Sequence, residues 1–227
     1  MIKLTINGKD YQVKNSWTEL TYNDYIKVLS SASMMLTDRI NLLTGIPKDI
    51  CDKLSFQQLA FICDALLLFD EPEDILLFTK GYIDELNIGR RTYKELEECL
   101  IFIRKVKNPV AALDKVVKIL YGEEIGELKA VEVLPKGLFI LTCITKFLDE
   151  FKRLGDYEPT IEEQEAGVEE LGKFGFFATA VQLARKYGKT HDDILAMPAR
   201  EVYTTLLYDF EQSEIEKRLQ KIHSRKR

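Results

Sequence analysis

The run Thr190-His191-Asp192-Asp193 is where residue types come closest to chemistry, because an imidazole beside two carboxylates could hold a metal ion or move a proton near neutral pH. His191 and His223 are the only two histidines in the chain. The spacing argues against both uses. Adjacent residues on a helix point about 100° apart, so the side chains at 191, 192 and 193 do not converge on one ion. A simpler account uses the residues as a helix start. Thr190 takes the N-cap, Asp193 at the third helical position completes a capping box, and Asp192 adds negative charge to a first turn whose dipole favours it. His223 sits in the charged run KIHSRKR (221–227), a poor place to build a dry, preorganised site.

The remaining chemistry-bearing residues are scattered. Cys51, Cys63, Cys99 and Cys143 form no CxxC pair and lie among apolar neighbours, as in FICDALLLF (61–69) and FILTCITKF (139–147). They read as reduced, small core residues, since zinc would want clustered thiolates or a nearby histidine. The sequence has no GxxxxGK[ST] loop, no GxGxxG after a strand, no HExxH and no GxSxG. Carboxylate pairs such as Glu162-Glu163 are common on solvated helices. No catalytic, cofactor-binding or metal-binding residue is therefore assigned, and no enzyme activity is expected.

A different use of the same region is a helix-turn-helix DNA reader, suggested by QLARKYGKTHDDILAM (182–197). In that motif the N-terminal residues of the second helix meet bases and phosphates. Here those residues are His191, Asp192 and Asp193, and the two carboxylates would be repelled by phosphate; Arg185, Lys186 and Lys189 compensate only in part. Composition points the same way. The chain has 227 residues, a net charge of -5, 46% hydrophobic and 30% charged residues, which is an ordinary globular balance with no global attraction to nucleic acid or an anionic membrane. The most lipid-like segment, GLFILTCITKFL (137–148), is shorter than the ~20 residues that span a bilayer and is interrupted by Lys146. The opening MIKLTINGKDYQV lacks the apolar run of a signal peptide, so a soluble protein made in a reducing compartment is expected.

The elements that must position these residues are mostly helical. Residues 2–13 alternate apolar and polar around Asn7-Gly8, which predicts a β-hairpin with a type I′ turn. Trp17, the only tryptophan, reads as an anchor between the hairpin and a helix capped by Thr21 and Asp24. Gly45 suits a helix C-cap, Pro47 starts a short helix, and Ser55 caps FQQLAFICDALLLF, apolar on most faces and so central. Residues 70–74 read as a break, and 75–91 as a short strand or irregular packing. Thr92 with Glu95 forms a capping box; Asn108-Pro109 opens a helix that stops at Gly122; Pro135 begins another that ends at Gly155. No internal repeat or low-complexity tract is evident.

The clearest change of composition is DYEPTIEEQEAGVEELG (156–172), acidic and poor in large apolar residues, a solvated helix or linker, or an acidic face for a basic partner. It divides a body, 1–155, from a C-terminal helical module, 156–227. The expected fold is mainly α: a bundle-like helical body with a small N-terminal β-hairpin and a C-terminal helical module.

The C-terminal stretch GFFATAVQLARKYGKTHDDILAMPAREVYTTLLYDFEQSEIEKR (175–218) resembles tail assembly chaperones and related tail-cluster proteins of tailed bacteriophages. The shared features are an aromatic-alanine helix, a YGKT-type turn, an IL-x-MP-x-x-EVY junction and a closing helix rich in Glu, Lys and Arg. The N-terminal LTINGKDYQVKNSWTELTYNDYIKVL (4–29) is similar to the start of phage structural or assembly proteins, where a hairpin precedes W-x-E-L-T-x-x-x-Y. The resemblance implies a non-enzymatic chaperone in the host cytoplasm that binds the tape measure protein and tail tube subunits through amphipathic helices. Phe176, Phe177, Tyr187, Tyr203 and Tyr208 are then the candidate partner contacts, with core packing as their alternative role. A structural virion protein of the head–tail or tail region is the second reading, and self-association stays open.

Overall fold

The computed structural model describes residues 2–31, 34–67, 86–156, 159, 161–165 and 168–224. The expected break at 70–74 and most of the ambiguous stretch 75–91 lie outside them. The architecture is mainly α with a small N-terminal β-hairpin. Strands β1 (Ile2–Ile6) and β2 (Lys9–Val13) pair antiparallel, with Ile2 opposite Val13 and Leu4 opposite Tyr11. Asn7 at φ 51° and Gly8 at φ 76° supply the two left-handed residues that a type I′ turn requires. Ile6, Tyr11 and Val13 are buried, and β2 packs on α2 (Leu36–Thr44).

The chain forms two compact units that are not consecutive in sequence: Met1–Asp84 with Asn108–Phe139, and Glu85–Lys107 with Ile140–Arg227. The acidic stretch 156–172 therefore falls within the second unit rather than between the two. The first holds the hairpin, α1 (Tyr22–Ser31), α2, α3 (Lys48–Cys51), α4 (Phe56–Leu67), α6 (Leu113–Tyr121) and the first half of α7 (Ala130–Glu150). The second holds α5 (Tyr93–Lys105), the rest of α7, α8 (Ile161–Glu165), α9 (Phe176–Tyr187), α10 (His191–Ala196) and α11 (Ala199–Ser224).

Each unit is organised by a joint between a capped helix start and a distant segment. In the first, a 3-10 turn (Trp17–Glu19) leads to Leu20 and then to Thr21, whose hydroxyl accepts from the Asp24 N–H at 3.2 Å while the Asp24 carboxylate accepts from the Thr21 N–H at 3.0 Å. Thr21 forms a single antiparallel bridge with Lys129. The Tyr22 N–H donates to the Leu128 carbonyl (2.8 Å), and the Ala130 N–H donates to the Leu20 carbonyl (2.9 Å). In the second unit a 3-10 turn (Ile88–Arg90) leads through Arg91 to Thr92, which shares a full capping box with Glu95 and bridges Pro198. There the Tyr93 N–H donates to Met197 (2.8 Å) and the Ala199 N–H to Arg91 (2.7 Å).

The match extends to burial. Trp17 and Ile88, Tyr22 and Tyr93, Ile125 and Ile194, Ala130 and Ala199, and Val133 and Val202 occupy corresponding places, and all ten are buried. The preceding helices, α6 and α9, both end in Tyr-Gly with the glycine left-handed, at φ 72° for Gly122 and 65° for Gly188. The expectation of no internal repeat is thus corrected: one joint is built twice. Its halves are interleaved, in the order 16–25, 87–96, 125–133 and 194–202, so a search for a tandem period passes over it.

Two further expectations are corrected. Pro135 lies inside α7, which begins at Ala130, because the Leu20 carbonyl and the Thr21 bridge fix the helix start upstream of the proline. The missing N–H of Pro135 removes one helical bond, that to the Val131 carbonyl. The helix α4 is not central: Ile62 and Leu66 are buried, but Phe56 is 86% exposed and Phe61 is exposed as well. All four cysteines are free. Cys51 and Cys99 are buried, and burial pushes the Cys99 thiol up to about 12, far from reactive thiolate character.

Candidate functional site

The residues around His191 are assembled as a helix start. Thr190 and Asp193 form a complete capping box: the Asp193 N–H donates to the Thr190 hydroxyl at 3.1 Å, and the Asp193 carboxylate accepts from the Thr190 N–H at 2.9 Å. The Thr190 hydroxyl, which donates to the same carboxylate at 2.6 Å, and the Thr190 N–H hold the Asp193 carboxyl below its ordinary range. The imidazole of His191 lies edge-on to the Phe177 ring, with centroids 5.3 Å apart, and its Nε2 is 3.5 Å from Asp192. Among the described residues, no three His, Cys, Asp or Glu side chains come together in a way that could hold a metal ion. As for DNA reading, α10 is six residues long, and Asp192 and Asp193 stand in its first turn. Thr190→Ala should lower stability by about 1 kcal/mol through loss of the cap, and His191→Ala by less than about 0.5 kcal/mol, as read from urea unfolding midpoints.

A groove on the second unit has more to offer a partner. Helices α9, α10 and α11 surround an open, mainly apolar depression of about 500 Å³. Its floor is Leu183, Ile194, Met197 and Val202, its walls are Tyr187 and Tyr208, and Lys189 and Glu201 stand at its edge. Each wall is positioned by helix spacing. Leu183 and Tyr187 are one turn apart on α9, and Glu201, Thr205 and Tyr208 follow one another along α11. Gly188 ends α9 with a left-handed turn, its N–H donating to the Ala184 carbonyl, and α10 then folds back against α9.

The groove is held from behind by an aromatic cluster. The Tyr203 ring meets Phe147 and Phe151, each at 5.4 Å, and Tyr93 at 6.0 Å, while Phe176 meets Tyr93 edge-on at 6.1 Å. The Tyr203 hydroxyl donates to Glu97 at 2.7 Å. Burial raises the Glu97 carboxyl above its ordinary value of 4.5, partly offset by the Tyr203 bond and by Arg104. At the start of α11, Arg200 forms a two-pronged bond with Glu150 (2.5 and 3.1 Å) and lies over the Phe147 ring.

The five aromatic candidates therefore separate. Tyr203 is buried and Phe176 half-buried in the cluster, where they stiffen the groove. Tyr187, Tyr208 and Phe177 are exposed, at 45%, 66% and 43%. Tyr187 and Tyr208 line the groove, whereas Phe177 lines a smaller hollow of about 330 Å³ with Leu171, Phe174 and Val181. Met197, Lys189 and Glu201 escaped sequence reasoning. The usable signal was the helical spacing of Leu183 with Tyr187 and of Glu201 with Thr205 and Tyr208, two faces that had no partner in sequence.

Compared with protein-family models, with curated proteins and with solved structures, the chain matches none. No helix among the described residues is long and apolar enough to cross a membrane.

Proposed function

We propose that this chain is a non-enzymatic tail assembly chaperone of a tailed bacteriophage, acting in the host cytoplasm by binding tail proteins, the tape measure protein and tube subunits among them. The observation that carries the reading is the segment 175–218. It resembles such proteins in its aromatic-alanine helix, YGKT turn and MP junction, and it also forms the apolar groove with Tyr187 and Tyr208 exposed on its walls. An amphipathic helix laid into such a groove would cover both tyrosines and the apolar floor, a mode that needs no preorganised polar group. Tyrosine suits this role because it offers a large contact area at small conformational cost. Lys189 and Glu201 would then select the orientation of the bound helix.

Mass spectrometry of purified virions separates this reading from its nearest rival. A chaperone leaves the particle and should be found at far less than one copy per tail. A stoichiometric amount retained in the virion would instead make the chain a structural protein of the head–tail or tail region.

A further inference from the structure

The distal part of α11 carries a pattern that neither the groove nor its aromatic support uses. Asp209, Phe210 and Glu211 tie α11 to the second unit: Asp209 accepts from Lys186 and Tyr187, and Arg153 pairs with Glu211 and lies over the Phe210 ring. Past them, Ile215, Leu219 and Ile222 are about half exposed. With Gln212 they fall at 212, 215, 219 and 222, in steps of three, four and three residues. That is the 3.5-residue repeat of a coiled-coil seam, in which one helix packs against another along a narrow stripe. Thirteen residues, 212–224, give the seam roughly 20 Å of preformed helix, so pairing does not have to meet the cost of nucleation.

Charge along the same segment is divided into two blocks. Residues 209–216 contain Asp209 and Glu211, already paired with Lys186 and Arg153 of the same unit, together with Glu214 and Glu216, and no basic residue; residues 217–227 contain six Lys or Arg and no acidic residue. The basic end suits the dipole of α11, which accounts neither for the acidic block in mid-helix nor for the apolar stripe. A segment with this arrangement is complementary to itself when reversed. An antiparallel pair sets each acidic block against the other copy's basic block and centres the seam near residue 217, with Ile215 against Leu219 and Gln212 against Ile222. A parallel pair sets acidic block beside acidic block and basic block beside basic block.

We propose that the distal half of α11 is a self-association surface, and that two copies of this chain pair through it as an antiparallel helix hairpin. The stripe is short and buries less than the ~1,200 Å² of a standard stable interface, so the dimer is weak and concentration-dependent. It is separate from the groove, and a dimer would present two grooves to a partner.

Sedimentation equilibrium of the full chain tests this. Wild type should show a monomer–dimer equilibrium at up to about 200 µM that weakens on raising salt from about 50 to 500 mM. I215E/L219E should lower association at least tenfold with unchanged circular dichroism, since both side chains stand half exposed. Orientation is read from E214K/E216K/K217E/R218E, in which the four charges flanking the centre of the seam are reversed. This variant should pair with itself and not with a tagged wild-type chain. Purely monomeric wild type, undiminished dimer in I215E/L219E, or preferential mixing of the charge-reversed variant with wild type would each overturn the proposal.

Discussion

Replacing Gly137 with alanine is expected to destabilise the first unit by about 2 kcal/mol, although alanine is the better helix former by about 1 kcal/mol. The reason is a close approach within that unit. A Cβ on Gly137 would lie 2.2 Å from Leu113 Cδ1, with Cδ2 and Cγ of the same side chain at 3.0 and 3.1 Å. Leu113 is fully buried at the start of α6, so it has no solvent into which to swing. Leu113→Ala alone should cost about 2–5 kcal/mol through lost contact and a residual cavity. The informative result is the double variant. With Leu113 cut back, the alanine methyl enters the vacated space and the propensity gain of α7 is expressed, so Gly137→Ala should then stabilise, by about 1 kcal/mol. Denaturation midpoints of the four proteins in this cycle would show the change of sign; simple additivity would mean that Leu113 is not what demands the glycine.

The second large effect centres on Tyr203. Tyr203→Ala should cost about 3–5 kcal/mol, because it removes a buried ring meeting Tyr93, Phe147 and Phe151 and strips Glu97 of its hydroxyl donor. Glu97→Gln should move stability the other way at neutral pH. Burial raises the folded-state pKa of Glu97 above 4.5, so the folded protein holds this proton more tightly than the unfolded chain does. The contribution of Glu97 to stability is therefore fully present below about pH 4.5 and is lost as pH rises through the folded-state value. Glutamine keeps an oxygen for the Tyr203 hydroxyl and never ionises, so the variant should lose this part of the pH dependence. Thermal melts of wild type and Glu97→Gln from pH 4 to 8 should diverge as pH rises, with the variant the more stable. A gap that stays constant with pH would show that Glu97 keeps an ordinary pKa.

Much of the local structure was legible because it depends on neighbouring residues. Asn7-Gly8 dictates the hairpin turn, the Thr-x-x-acid runs dictate the starts of α1, α5 and α10, and Gly122 and Gly188 dictate where α6 and α9 stop. What escaped depends on distant pairing. The start of α7 is fixed by Leu20 and Thr21, a hundred residues upstream, and this outweighs the local habit of proline to open a helix. The repeated joint relies on backbone hydrogen bonds and on positions that need only be apolar, so Trp17 can correspond to Ile88 without resemblance between them. Of the candidate surface, the aromatic positions were visible as a set. Spacing places Tyr203 and Tyr208, five residues apart on α11, on different faces, but it cannot say which face turns into the cluster and which stays exposed, because the supporting rings come from α5 and α7.

The central claim, binding of tail proteins through the groove of the second unit, is tested most directly by co-expressing this chain with the tape measure protein of the same phage and measuring how much of the latter stays soluble. A clear rise in soluble tape measure protein, co-purification of the two, and loss of both effects in Tyr187→Ser/Tyr208→Ser at unchanged circular dichroism are expected. A tape measure protein that remains insoluble and does not co-purify with the wild-type chain would contradict the claim.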